Sequence, residues 1–327
     1  MYPANDIFSL ENHADFLEKA LEIFNYQYNY NPTYREFVDL RDKKPSNIET
    51  LEDIPFLPIE FFKSRKILTG PDQEKMIFTS SGTTDMEVSK HYVTDPGLYE
   101  QSFTRGFEHF FGSIKQYNVL ALLPAYLERT GSSLVYMVDK LIKISNRKNS
   151  GFYMHNHEDL SKKIIELERD GEKTLLLGVS FALLDFTEKY NFQLKNTLVM
   201  ETGGMKGRKK EITREELHEI LEYRFGVDKI YSEYGMTELL SQAYCLGEGK
   251  FQSPPWMKIL TRDPYDPYNF IPAGRTGGIN IIDLANIHSC AFIQTSDLGR
   301  VNKDGTFDVL GRFDQSDTRG CNLMVQG

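Results

Sequence analysis

Residues 79–84 read TSSGTT and follow the apolar run Met76, Ile77, Phe78. The hydroxyls of Thr79, Ser80, Ser81, Thr83 and Thr84 cluster around Gly82. Together they supply backbone N–H groups, side-chain donors and close access, the set that a polyphosphate needs. No lysine directly follows the glycine, so this is not a GxxxxGK[ST] loop; Lys90, six residues beyond the hexapeptide, can supply a cation. An ordinary Ser/Thr-rich turn between strands would use the same residues. A second segment, YSEYGMTE at 231–238, follows Ile230. Its aromatic Tyr234 can stack a base, Gly235 lets a ligand approach, Thr237 can hold a phosphate and Glu238 can bind a hard cation through oxygen. A strand-end turn with a solvated Glu238 is the alternative. The third segment, TSDLGR at 295–300, precedes Gly311, Arg312, Phe313 and Asp314. A carboxylate such as Asp297 accepts two hydrogen bonds from a ribose diol, and the forked donors of Arg312 bridge oxygens; a surface salt bridge at a β-turn would look the same.

The elements that have to position these residues are legible in outline. Residues 75–78, 118–123, 174–179 and 197–200 are short apolar runs that read as buried strands. Between them lie amphipathic stretches. Asp95 before Pro96 starts a helix along which Phe103, Phe107, Phe110 and Phe111 share helical spacing, and Leu134, Met137, Val138 and Leu141 repeat that spacing. TREE at 213–216 is a capping box that opens a helix running through Phe225. Strand and helix in alternation predict an α/β sheet fold. From Ala14 to about Phe62 the pattern is helical and aromatic, broken by Pro32, Pro55 and Pro58, which predicts a helical segment packed on the rest of the chain. Beyond Gly274, glycine-punctuated short strands predict a β-rich lobe.

Composition bounds the partners. With 327 residues, 40% of them hydrophobic, the chain suits one large unit or two intimately packed subdomains. A net charge of -9 disfavours nucleic acid and anionic membrane surfaces. The polar start at residues 1–10 lacks the pattern of a signal peptide and no apolar run approaches a membrane span, so a cytoplasmic location is expected. Cys245, Cys290 and Cys321 are odd in number and without metal-ligand spacing, so they are expected as reduced thiols rather than a disulfide framework or zinc site.

In this order and spacing, the Ser/Thr/Gly loop, YGMTE at 234–238, TSDLG at 295–299 and GRFD at 311–314 resemble the motif series of the acyl-adenylate-forming superfamily. A finer resemblance is to its acyl-protein synthetase (LuxE-like) branch. It rests on FLPIEFFK at 56–63, LPAYLERTGSSL at 123–134, ETGGMKGR at 201–208 and RGCNLM at 319–324, and covers nearly the whole chain. The resemblance implies an α/β fold of mixed sheets packed with helices plus a β-rich lobe, without the small C-terminal lid domain of the wider superfamily. It also implies a helical segment over 1–74 packed on an adenylate-forming core over 75–327. Carried over by position, TSSGTT embraces the ATP phosphates, Gly203 and Gly204 line the adenine and Tyr234 stacks on it. Thr237 holds the α-phosphate, Glu238 the Mg²⁺ and Asp297 the ribose hydroxyls, with Arg312 assisting. Cys321 matches the cysteine that takes the acyl group, and Arg319 beside it would favour the reactive thiolate. Asp85 departs from the pattern, standing where glycine is usual and bringing a carboxylate towards an anionic ligand.

The implied activity is ATP-dependent activation of a carboxylic acid, a fatty acid in this branch, followed by transfer to a thiol. The acceptor would be a protein or coenzyme A. Two alternatives are an acyl- or aryl-CoA ligase resembling phenylacetate activation and an inactive nucleotide-binding scaffold. Other signals have plainer readings. His155 and His157 lack a third ligand and suit a capped helix start; Lys206, Arg208, Lys209 and Lys210 suit a solvated loop; and residues 175–184 with Phe186 suit core packing or an acyl pocket equally.

Overall fold

The computed structural model describes residues 6–80, 88–124, 131–203 and 212–313. Helix α1 (His13–Tyr30) begins where Asn12 accepts the N–H groups of Ala14 and Asp15. Asn31 caps α2 (Pro32–Leu40), with Pro32 at the first helical position, where its missing donor costs nothing. Strand β1 (Leu57–Pro58) and the single-turn α3 (Phe61–Ser64) lead to a hairpin of β2 (Met76–Thr79) and β3 (Lys90–Val93), a two-stranded sheet of its own. Asp95 caps α4 (Pro96–Phe111). Strands and helices then alternate: β4 (Asn118–Leu122), α5 (Ser133–Ser145), β5 (Gly151–Phe152), α6 (His157–Arg169), β6 (Thr174–Val179), α7 (Ser180–Thr187), β7 (Thr197–Thr202), α8 (Arg214–Phe225) and β8 (Tyr231–Tyr234). The remainder is strand-rich: β9 (Ala243–Cys245), β10 (Phe251–Gln252), β11 (Met257–Arg262), β12 (Thr276–Asp283), β13 (Phe292–Val301) and β14 (Phe307–Arg312), with a 3₁₀ turn at Leu284–Asn286.

Among the described residues, twelve strands form one mixed sheet in the order β11-β12-β13-β14-β10-β9-β8-β7-β6-β4-β5, with β1 parallel to β13. Strands β4, β6, β7 and β8 run parallel. The change of sense falls at β8, which is parallel to β7 and antiparallel to β9. Two-sided burial explains why the parallel strands read as unbroken apolar runs. Successive side chains point to opposite faces, so Val119, Ala121, Leu175, Leu177 and Met200 enter one core cluster. Leu120, Leu122, Leu176 and Val199 enter the other. The second cluster also takes Leu183, Leu184 and Phe186, so these residues of α7 are core packing.

The α/β fold with a β-rich C-terminal part is as the sequence predicts. Thr213 and Glu216 form the reciprocal capping box of α8. Strand β7 runs two residues beyond its apolar stretch, because Glu201 and Thr202 are buried and hydrogen-bonded rather than solvated. The N-terminal helices sit on the 283–291 stretch of the β-rich part. There Gln27 Nε2 donates to the carbonyls of Asn286 (3.1 Å) and Ile287 (2.9 Å), and its Oε1 accepts the Ala291 N–H (2.9 Å).

Candidate active site

Ligands of open α/β sheets lie outside the carboxyl ends of parallel strands. Here Gly203 follows β7 and Gly235 follows β8, and both are exposed. Gly203 has φ 77°, a left-handed conformation that disfavours side chains. At Gly235 a Cβ would come within 2.5 Å of Glu233 Oε1, so any side chain there would collide with a buried carboxyl. Of the phosphate hexapeptide, Thr79 and Ser80 are described, whereas Ser81, Gly82, Thr83 and Thr84 lie outside the described residues, as do Asp85 and Gly204. Ser80 and Ser89 are clasped together: Ser80 N–H donates to the Ser89 carbonyl (3.1 Å) and Ser80 Oγ accepts the Ser89 N–H (3.0 Å). Thr79 is the register partner of Lys90, whose side chain is exposed.

Alternation along β8 separates two environments. Tyr231 faces α4 through Phe111, whereas Ser232 Oγ lies 3.3 Å from His218 Nε2 of α8. Tyr234 therefore shares the Ser232 side. Its ring is held edge-on by Phe251 and Phe307, with centroids 5.8 Å away in each case, and its hydroxyl donates to Asp297 Oδ2 (2.8 Å). Arg312 Nε donates to Asp297 Oδ1 (3.0 Å). Asp297 and Arg312 are register partners on β13 and β14, so strand pairing rather than chain proximity unites them. Among the described residues each Asp297 oxygen accepts one side-chain donor, which leaves it a lone pair for a hydroxyl. Burial, and then the Asp297 charge, hold the Tyr234 phenol well above its ordinary pKa, so it stays a donor.

Thr237 is half-buried and Glu238 is buried, 5% exposed. Burial raises the Glu238 pKa, and a hydrogen bond from the Ser89 hydroxyl opposes that rise. Among the described residues Glu238 has no ion-pair partner at its carboxylate. A desolvated, unpaired carboxylate is a hard oxygen ligand of the kind a divalent cation would satisfy, so the residues fit Mg²⁺. Among the described residues no group of three or more His, Cys, Asp or Glu is arranged to hold a metal. A cation at Glu238 would therefore take its remaining oxygens from substrate phosphates and water.

Several buried polar groups around the site were given no role in the sequence reading, although Glu201 and Glu233 lie within the ETGGMKGR and YSEYGMTE segments. Glu201 Oε1 lies 3.6 Å from Arg214 Nε and 3.7 Å from His218 Nε2, while Ser180 Oγ lies 2.8 Å from both Glu201 Oε2 and the Gly203 carbonyl. On the α4 side, Glu233 accepts the Thr202 hydroxyl and is pushed up to about 7, chiefly by burial and further by Glu201. The signal that could have found them was charge at strand positions, Glu201 in TLVMET and Glu233 in YSEY. His157, set aside as a metal ligand, begins α6 behind the Asn156 cap and packs edge-on against Phe186 at 5.5 Å. The open groove between α1 and α2, about 850 Å³, is lined by Tyr30, Arg35 and Leu40 and includes none of these site residues.

Cys321, Arg319 and residues 206–210 also lie outside the described residues. Cys245 and Cys290 are free and buried. Burial raises the Cys245 thiol and pushes Cys290 up to about 12, so both remain protonated.

The chain is 23% identical over 352 aligned positions to the long-chain-fatty-acid–luciferin-component ligase of Aliivibrio fischeri, covering 97% of this chain and 89% of that protein. It is 23% identical to the like-named protein of Vibrio harveyi, covering 92% and 85%. Two solved structures share the fold. One is 2-hydroxyisobutyryl-CoA ligase in its postadenylation state with 2-HIB-AMP, with TM-score 0.67 and 13% identity over 92% of this chain and 68% of that one. The other is ATP-bound MatB from Rhodopseudomonas palustris, with TM-score 0.55 and 18% identity over 74% of this chain. The match spans about half, 49%, of the MatB chain. No described helix is long and apolar enough to cross a membrane. The model of the family "Acyl-protein synthetase, LuxE" matches residues 7–327, and the chain belongs to that family.

Proposed function

We propose that this protein activates a long-chain fatty acid with ATP and passes the acyl group to a thiol, with Cys321 as the first acceptor. The observation that carries the reading is the convergence beyond the ends of β7 and β8. An exposed glycine pair (Gly203, Gly235), a hydroxyl (Thr237), an unpaired buried carboxylate (Glu238) and a diol-ready carboxylate (Asp297) meet there in a member of this family. Asp297, with Arg312 and Tyr234 fixing its oxygens, takes the ribose hydroxyls. Gly203 and Gly204 leave room for the adenine beside Tyr234. Residues 79–84 and Lys90 surround the phosphates, and Thr237 takes the α-phosphate. When bound at Glu238, Mg²⁺ offsets phosphate charge.

A carboxylate oxygen of the acid attacks the α-phosphorus, the bond to pyrophosphate breaks, and acyl-AMP results. The Cys321 thiolate then attacks the acyl carbonyl. AMP leaves with the electrons of the broken carbon–oxygen bond, and a thioester remains. Rate comes from positioning and charge neutralisation.

The test is incubation with MgATP and a labelled long-chain fatty acid. A hydroxylamine-labile label on the protein is expected. Cys321→Ser should abolish it while acid-dependent pyrophosphate exchange persists, because activation precedes transfer. A label that survives in Cys321→Ser, or that goes to coenzyme A whenever that thiol is supplied, overturns the self-acylation step. Absence of exchange with every fatty acid overturns the activation itself.

A further inference from the structure

We propose that His91 is a positioning residue for the cation-binding segment: with Asn286 it holds the backbone of Thr237 and Glu238 against the strand that leaves the phosphate loop. This rests on Glu238 being the Mg²⁺ ligand. His91 is 1% exposed and Asn286 fully buried. Donors buried in a core are normally used, and here one donor from each residue is aimed at the same segment. His91 Nδ1 lies 2.8 Å from the Thr237 carbonyl oxygen and donates to it in the Nδ1–H tautomer. In that tautomer Nε2 carries no proton and so does not donate to Asn286 Oδ1, 3.0 Å away; independently, Asn286 Nδ2 donates to the Glu238 carbonyl (2.7 Å). Two successive carbonyls are thus gripped by side chains from two distant elements.

Both supports are braced in turn. The edge of Phe62 meets the His91 ring with centroids 5.8 Å apart, and Gln27 of α1 donates to the Asn286 carbonyl. Ser89 and His91 are two residues apart in extended chain, so they point the same way. Ser89 reaches the Glu238 carboxylate while His91 reaches the adjoining backbone. The stretch from Ser89 to His91 therefore touches this segment twice, once at the Glu238 carboxylate and once at the Thr237 carbonyl, and it couples the residues that follow the TSSGTT segment to the carboxylate proposed for the metal. Nothing in the sequence motifs marks His91; its role rests on a contact 146 residues away in the chain.

The test compares wild type with His91→Phe, His91→Gln and Asn286→Asp in two measurements. In the free protein, hydrogen exchange of the peptide spanning residues 236–241 should accelerate in His91→Phe and Asn286→Asp, and return towards wild type in His91→Gln, whose amide can donate to Thr237. In pyrophosphate exchange, the Mg²⁺ concentration giving half-maximal rate should rise roughly ten- to a hundredfold in the first two variants, the usual effect of removing a support behind a metal ligand. A merely structural histidine would lower the melting temperature and the active fraction while leaving the Mg²⁺ requirement of the folded molecules unchanged. That result, in a variant whose 236–241 exchange is also unchanged, overturns the proposal. Asn286→Asp keeps the shape of the side chain and serves if His91→Phe does not fold. A wild type without pyrophosphate exchange would instead remove the activity proposed above, and the hydrogen-exchange comparison would still decide whether His91 holds the segment.

Discussion

The two halves of the sheet deliver chemistry in different ways. In the parallel half, β4, β6 and β7 supply mainly apolar side chains to both core clusters, and the candidate site residues lie at the C-terminal end of β7 and beyond it. In the antiparallel half, Asp297 lies inside β13 and is brought to Arg312 by strand register. A parallel strand covered on both faces has no solvated side on which to carry polar residues, whereas an antiparallel strand near the sheet junction does. Site residues of the first kind come as contiguous motifs. Those of the second come as scattered single residues that pairing assembles.

The comparison breaks first at Glu238. Glu238→Gln should lower acid-dependent pyrophosphate exchange by about a thousandfold, since a shape-conserving change removes only the cation's charge partner. Thermal unfolding should be unaffected or shifted upward, because the change removes a buried charge whose pKa burial has raised. Wild-type exchange in the folded variant would leave the parallel half without its principal functional group.

Core truncations sharpen the contrast from the other direction. Leu120→Ala in β4 and Ile281→Ala in β12, both fully buried, should each cost about 2–5 kcal/mol in urea unfolding. Activity per folded molecule should be unchanged for both. If Leu120→Ala alters the affinity for ATP, burial and function are not separated in the parallel half as described.

Two buried groups at the junction give opposite pH dependences. Glu233 is pushed up to about 7 in the fold from 4.5, so its contribution to stability is present below pH 4.5 and lost as pH rises through 7. His91 is pushed down to about 4 from 6.5 by burial, so its contribution is present above pH 6.5 and lost as pH falls through 4. The two nearly offset between those limits. Glu233→Gln should expose this: its stability relative to wild type should rise by about 3 kcal/mol from pH 4.5 to 7, the worth of a shift of this size. A difference that stays constant with pH, measured by denaturant unfolding, would contradict the burial of an ionisable Glu233.

The smallest effect belongs to the antiparallel half. Asp297→Asn replaces an acceptor-only group by one with a donor, weakening the bonds from Tyr234 and Arg312. The KM for MgATP should rise about tenfold with kcat little changed, the pattern of lost ground-state binding. A loss confined to kcat would move Asp297 from the ribose towards the reacting centre.

The sequence by itself determined most of the elements and the motifs on which the proposed site rests. Unbroken apolar runs marked the two-sided strands, Asp95 and the capping box at Thr213 marked helix starts, and TSSGTT and YGMTE stood out because their candidate residues are adjacent in the chain. Only the tertiary structure decided how Tyr234, Asp297 and Arg312 share one pair of carboxylate oxygens. It also decided that β8 is the junction of the two halves, and that Glu201, Glu233, His91 and Asn286 are buried polar neighbours of the site. Local propensity and periodicity act over a few residues, whereas a buried histidine or carboxylate is stabilised by partners far along the chain. Which of them meet depends on strand order and register, and the local pattern of residues carries neither.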